Sequence, residues 1–128
     1  MAFNPVVWFE IYVQDMARAQ AFYEAVLAVK LETLQAPEGE ASGLHMLAFP
    51  AKEEGFGAGG ALVRMPGLPS GGNSMLVYFG CEDCAVEAGR VAGAGGAVFK
   101  DKFSIGPYGF CALATDTEGN MFGLHSMK

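Results

Sequence analysis

The stretch Val6-Val7-Trp8-Phe9-Glu10-Ile11-Tyr12-Val13-Gln14-Asp15-Met16-Ala17-Arg18-Ala19-Gln20-Ala21-Phe22-Tyr23 decides the fold. Its first eight residues are β-branched or apolar except for Glu10, the chemistry of a strand with both faces in contact with something. Period two separates those faces. Val7, Phe9, Ile11 and Val13 form a wholly apolar side suited to packing on a helix, whereas Val6, Trp8, Glu10 and Tyr12 set one carboxylate between two aromatic rings. Asp15 then reads as a helix N-cap, and Met16, Ala19, Phe22, Tyr23 and Val26 recur at helical spacing. A strand therefore feeds directly into a helix.

Outward from this unit, strands are predicted over residues 29–34, 44–49 and 59–65, separated by a polar turn over 37–43 and a glycine-rich loop. Residues 66–73, with two prolines and three glycines, resemble a linker, and beyond them the pattern restarts. A strand over 75–81 leads to a helix capped by Asp83 and running to about Ala92, which the glycines of 93–96 stop with left-handed conformations; three strands follow over 97–103, 110–114 and 121–126. Sliding the chain by 68 residues puts Asp83 on Asp15, Leu76 to Cys81 on Trp8 to Val13, and Ala97-Val98-Phe99 on Val29-Lys30-Leu31. The expected fold is α+β: two tandem βαβββ modules, about 5–65 and 74–127, joined by a linker at about 66–73 into one domain covering 1–128.

Composition fits one such domain. With 128 residues, 52% apolar and only 17% charged, the chain can bury about two thirds of its unfolded surface, so disorder is excluded. A net charge of −6 and only eight Lys and Arg argue against nucleic acid and anionic membranes as partners. No apolar run spans a bilayer, the start lacks the basic and apolar regions of a secretory signal, and three cysteines are an odd number; a cytoplasmic protein with reduced thiols is expected.

The tandem βαβββ pattern, Glu-Ile-Tyr-Val-Gln-Asp-Met-Ala-Arg-Ala-Gln-Ala-Phe-Tyr at 10–23, Gly-Pro-Tyr-Gly-Phe at 106–110 and Asp-Thr-Glu-Gly-Asn-Met-Phe-Gly-Leu at 116–124 together resemble the vicinal oxygen chelate superfamily. That group includes glyoxalase I, bleomycin-resistance proteins and extradiol dioxygenases. Thr117 replaces the proline of the family's closing signature. The resemblance implies a cup-shaped mixed sheet with helices outside, a small-molecule site within the cup, and frequent dimerisation. It also implies a divalent metal held by residues that fall here on Trp8, Leu76, Gly123 and about Ala61. An indole, an isobutyl group, a hydrogen and a methyl group donate nothing to Mg²⁺, Zn²⁺ or Fe²⁺, so no metal site and no cofactor are expected.

Two polar residues share the facing of those vacated positions. Glu10 follows Trp8 by two and His125 follows Gly123 by two, so both are expected to point into the cup as the candidate catalytic pair. If Glu10 is desolvated between Trp8 and Tyr12, its protonated form gains, and His125 could share a proton with it. The bland alternatives are a local ion pair for Glu10 and a solvent-exposed His125. Trp8, Tyr12, Tyr78 and Tyr108 are the candidate ligand-binding residues, with rim packing the equal alternative for Tyr108. His45 has no fixed phase in its strand. Cys81 and Cys84 form a Cys-x-x-Cys without a second pair, Gly55 to Gly60 precede a strand where a phosphate cradle would open a helix, and Asp116 to Asn120 lack the later Glu of a calcium loop; packing, a rim loop and a tight turn are the simpler assignments.

The expected function is that of a bleomycin-resistance-like protein binding a small, partly apolar molecule in an aromatic-lined cup, without the usual metal and as a homodimer. The alternative is a glyoxalase-related lyase, isomerase or dioxygenase-type enzyme holding a divalent metal through a shifted ligand set with Glu10. A partner-binding module with no ligand is the third.

Overall fold

The computed structural model describes residues 6–34, 43–52, 55 and 57–128. Eight strands and two helices run in the order β1 (Trp8–Tyr12), α1 (Met16–Leu27), β2 (Glu32–Leu34), β3 (His45–Ala48), β4 (Gly59–Arg64), β5 (Tyr78–Gly80), α2 (Cys84–Val91), β6 (Ala97–Ser104), β7 (Phe110–Thr115) and β8 (Met121–Ser126). The fold is α+β with two tandem βαβββ modules. Each module builds a mixed four-stranded sheet, β1-β4-β3-β2 and β5-β8-β7-β6. In both, the first strand runs parallel to the last and lies at the edge. The turn expected over 37–43 lies, apart from Gly43, outside the described residues, as do Met1 to Pro5 and Phe56 of the glycine-rich loop.

Local chemistry accounts for both helices. The Asp15 carboxylate accepts from the Arg18 amide at 3.1 Å, and Met16, Ala19, Phe22, Tyr23 and Val26 bury one face of α1. Ala28 ends that helix in a left-handed turn at φ 56°, returning its N–H to the Glu24 carbonyl. Asp83 caps α2 by accepting from the Ala85 amide at 3.0 Å, and Cys84, Ala88 and Val91 face inward.

The two sheets turn their helix-covered sides toward one shared core. Phe9 and Phe49 of module one meet Phe79 of module two with ring centroids 5.5–6.0 Å apart, and Tyr23 of α1 lies 5.5–5.9 Å from Phe49, Phe79 and Phe122. Each fully buried aromatic contributes about 2–3 kcal/mol by burial alone, so this cluster joins the modules more strongly than any single polar contact. Among the described residues no helix covers the opposite face of either sheet.

Residues 66–73 do more than connect. Gln14 Nε2 donates to the Leu68 carbonyl at 2.9 Å, Ser70 Oγ to the Glu118 carbonyl at 2.8 Å, and the Gly71 amide to Asn120 Oδ1 at 2.6 Å. Asn73 exchanges two hydrogen bonds with the Met121 backbone. The connection is thus fastened to the turn between β7 and β8.

Candidate functional site

Strand register places the candidate residues. Glu10 lies opposite Ala61, and Tyr78 opposite Gly123, so the 68-residue offset that matches Glu10 with Tyr78 also matches the structural positions of the two residues across from them. Trp8, Glu10 and Tyr12 share the uncovered face of sheet one, continued by Ala61 and Val63 on β4, Ala48 and Met46 on β3, and Glu32 and Leu34 on β2. Tyr78, His125 and Cys111 share the uncovered face of sheet two. His45 alternates with the core residue Leu47 on the covered side and is exposed at its strand end, away from that face.

On sheet one the Glu10 carboxylate is oriented by both aromatic neighbours. Trp8 Nε1 donates to Oε2 at 3.2 Å and the Tyr12 hydroxyl to Oε1 at 2.7 Å. The bond to Glu10, with partial burial and the nearby charge, pushes the Tyr12 hydroxyl above its ordinary value. Glu10 itself is exposed, so the desolvation on which its expected behaviour depended is lacking.

On sheet two, Tyr78, Gly80, Phe103, Ile105, Cys111 and His125 line an open hollow of about 490 Å³. Tyr78 is half exposed, and its ring lies flat against β8 where Gly123 leaves room: a Cβ at Gly123 would overlap the ring. Gly123 therefore has a structural use, as the floor under an aromatic side chain. His125 Nε2 lies 2.7 Å from the Tyr108 carbonyl, and since a carbonyl can only accept, Nε2 is the donor. Nδ1 is then the ring atom left for a ligand. Tyr108 itself is 72% exposed on the 3₁₀ turn Gly106–Tyr108, joined to the hollow through its backbone.

Glu10 and His125 are not brought together. They stand on different sheets, line different hollows and bond to different partners, so the proton shared between them has no geometric basis. Nor does the donor chemistry at Trp8, Leu76, Ala61 and Gly123 fit the family's metal, and among the described residues no group of three or more His, Cys, Asp and Glu could hold one.

The strongest electrostatics lie elsewhere, in the Asp116-Thr-Glu-Gly-Asn turn. The Glu118 side chain is fully buried and accepts from the Gln14 amide at 2.8 Å, the Asp15 amide at 3.0 Å and Arg18 Nε at 2.7 Å. Burial alone would raise its carboxyl, but the Arg18 guanidinium and the two amides outweigh burial and hold it at about 2. Asp116 accepts from the Tyr23 hydroxyl at 2.7 Å and from the amides of Glu118 and Asn120, while Asn120 Nδ2 donates to the Tyr12 carbonyl at 3.0 Å. Burial, then Asp116, push the Tyr23 hydroxyl well up. The turn of module two thus grips the β1–α1 junction and the end of the strand that carries Glu10. Its sequence marks a tight turn but does not show this grip.

The three cysteines are unpaired thiols, Cys84 and Cys111 buried and Cys81 partly so. Burial, followed by the Glu87 carboxylate, pushes the Cys81 thiol up to about 12. At pH 8 its thiolate is about a thousandfold scarcer than that of a free cysteine. A thiol reagent such as DTNB is expected to modify the native protein only after unfolding by denaturant, and rapid stoichiometric labelling of Cys81 in the native state would contradict this.

Comparison with known proteins agrees with this architecture. The bleomycin resistance protein-like N-terminal family matches residues 6–36, the strand–helix unit and β2. CFP32, a proposed glyoxylase of Mycobacterium tuberculosis, is 29% identical over 119 residues, 93% of this chain, and has a counterpart of equal similarity in Mycobacterium bovis. The chain spans only 42% of the length of these relatives. Among solved structures, TnmS3, an antibiotic-binding protein from Streptomyces sp. CB03234, is 27% identical with a TM-score of 0.65 and 98% coverage of both chains. A maize (Zea mays) glyoxalase I mutant shares the fold, with a TM-score of 0.73 at 21% identity over 96% of this chain and 46% of its own. In the described residues no helix is long and apolar enough to cross a membrane. In fold, and in sequence over its first strand–helix unit, the chain is thus similar to proteins of the glyoxalase/bleomycin resistance protein group.

Proposed function

We propose that this protein binds a small, partly apolar molecule against the uncovered faces of its sheets, in the manner of a binding protein, without the family's usual metal. The observation that carries this is the hollow on sheet two: Tyr78, Phe103, Ile105 and Cys111 give it apolar walls, and His125, held in one tautomer by the Tyr108 carbonyl, gives it a fixed polar contact. The likeness to an antibiotic-binding protein supports the same conclusion. Trp8, Glu10 and Tyr12 supply a second aromatic surface with one oriented charge.

Each chain offers two half-cups directed away from the shared core, and apolar side chains stay exposed beside both edge strands: Val6, Val7 and Trp8 next to β1, Met75, Leu76 and Tyr78 next to β5. A homodimer setting sheet one of one copy across from sheet two of the other would cover these residues and enclose the ligand. The competing lyase would use Glu10 or His125 as a base; within one chain the two line different hollows, and a shifted metal set around Glu10 lacks further donors among the described residues.

Trp8 is the single tryptophan and 43% exposed, so its fluorescence reports on the sheet-one surface, which the proposed dimer sets across from the partner copy's sheet-two hollow. Titration with apolar aromatic antibiotics is expected to shift or quench that emission, with light scattering giving twice the chain mass. A monomer whose emission no such compound alters would sink the proposal. Stoichiometric metal in the purified protein that is lost in Glu10→Ala would instead support the enzyme.

A further inference from the structure

Beside Glu10 and Tyr12, on the module junction, lies a hollow of about 270 Å³ whose other wall includes Asn73, Ser74 and Met75. Glu10 is the one formally charged side chain lining it, since no Lys, Arg, His or Asp contributes. Among the described residues the ion pairs are Arg18–Glu118 and Lys102–Asp83, and neither involves Glu10. The chain therefore spends an indole N–H and a phenol O–H on holding a surface carboxylate still, yet among the described residues that carboxylate has no counter-charge.

We propose that this junction hollow is a site for an organic ammonium group, with Glu10 as the counter-charge, Tyr12 as the aromatic flank, and Trp8 holding the carboxylate from its far side. It rests on the ligand-binding function proposed above and adds the chemistry of one end of the ligand. A carboxylate offers about four lone-pair sites; Trp8 and Tyr12 take one each, leaving the others for ammonium N–H donors. The Tyr12 ring, which lines the hollow, attracts a cation through its quadrupole. Met75, 80% exposed, offers the alkyl part of such a ligand an apolar, polarisable wall. Farther along the face the charges are mixed. Glu32 stands on the same cross-strand row, through Ala61 and Ala48, about 14 Å away. Lys30 and Lys52 line the separate hollow beyond Trp8, so an ammonium group is steered to the Tyr12 side of Glu10. The net charge of −6 adds long-range attraction.

The test uses three probes with one apolar body: 4-phenylbutylamine, 4-phenylbutanol and 4-phenylbutyrate. Binding is followed by calorimetry and Trp8 emission. The amine is expected to bind about tenfold more tightly than the alcohol, and the carboxylate most weakly. Glu10→Gln, which keeps one acceptor but removes the charge at an exposed site, should bring the amine to the level of the alcohol while leaving thermal stability unchanged. Added salt should weaken only the amine. Equal affinity of all three probes, or amine binding untouched by Glu10→Gln, would overturn the ammonium site and leave the wider binding function standing. No binding of any probe at millimolar concentration would overturn the site, and the antibiotic titration above then decides the wider function separately.

Discussion

Glu118→Ala is expected to destabilise the protein by about 3–5 kcal/mol, the largest effect of any single polar substitution on the molecule. The side chain is fully buried and serves two backbone amides at the head of α1 as well as Arg18. Alanine leaves the Gln14 and Asp15 amides without their acceptor, and each orphaned, part-buried donor costs about 1 kcal/mol or more. Arg18 is half exposed and can return to water, so its share is smaller. The order of damage in urea unfolding should therefore be Glu118→Ala, then Glu118→Gln, then Arg18→Ala. Equal losses for Arg18→Ala and Glu118→Ala would show that the ion pair, and not the amides, carries the stability.

The same residue sets an acid dependence with a definite sign. Its carboxyl sits at about 2 in the folded chain against an ordinary 4.5, so the folded state holds the ionised form and the unfolded state takes up the proton first. Its contribution, about 3 kcal/mol, is complete above about pH 5 and is lost as pH falls toward 2. Wild type and Glu118→Gln should converge in stability over that window and stay apart from pH 5 to 8.

What the chain reveals on inspection follows the range of the forces involved. Strand alternation at Val7, Phe9 and Ile11, the Asp15 and Asp83 caps and the spacing of Met16, Ala19, Phe22, Tyr23 and Val26 are local, and the elements they foretell are present with bounds differing by one to three residues. The facing of Glu10 and Tyr78 is local too, because period two admits only two outcomes. Burial is not local. Glu10 could be judged desolvated only by knowing whether a further layer covers sheet one, and among the described residues none does.

The grip of Glu118 on Gln14, Asp15 and Arg18 spans 100 to 104 positions, and the pinning of residues 66–73 by Asn120 and Met121 spans nearly 50. A turn written Asp-Thr-Glu-Gly-Asn looks solvated until the folded chain supplies those partners. Gly123 shows the same limit from the other side. As a missing metal ligand it has only a negative meaning, whereas the Tyr78 ring lying on it gives a positive reason for glycine that no pattern along one strand contains.

Gly109→Ala is expected to cost about 3 kcal/mol and to release His125 from its fixed tautomer. Gly109 follows the 3₁₀ turn with φ 104° and ψ −133°, a region that essentially only glycine occupies. A Cβ there would also run into the Ser126 carbonyl oxygen. That oxygen cannot retreat cheaply. Ser126 is fully buried, paired with Phe110 across the sheet, and its hydroxyl accepts from the Cys84 amide at 3.0 Å while donating to the Lys128 carbonyl at 2.8 Å. The strain must then go into the loop, moving the Tyr108 carbonyl that holds His125 Nε2 and, with it, the one fixed polar contact of the hollow on sheet two. Nitrogen NMR of the imidazole should show the Nε2–H tautomer in wild type at pH 8 and a mixture in the variant, alongside a thermal midpoint lower by about 10 °C. Ligand affinity at the hollow should fall with it, because Nδ1 would no longer be held as the acceptor. A variant as stable as wild type, with an unchanged His125 signal, would mean that the loop does not set the histidine at all.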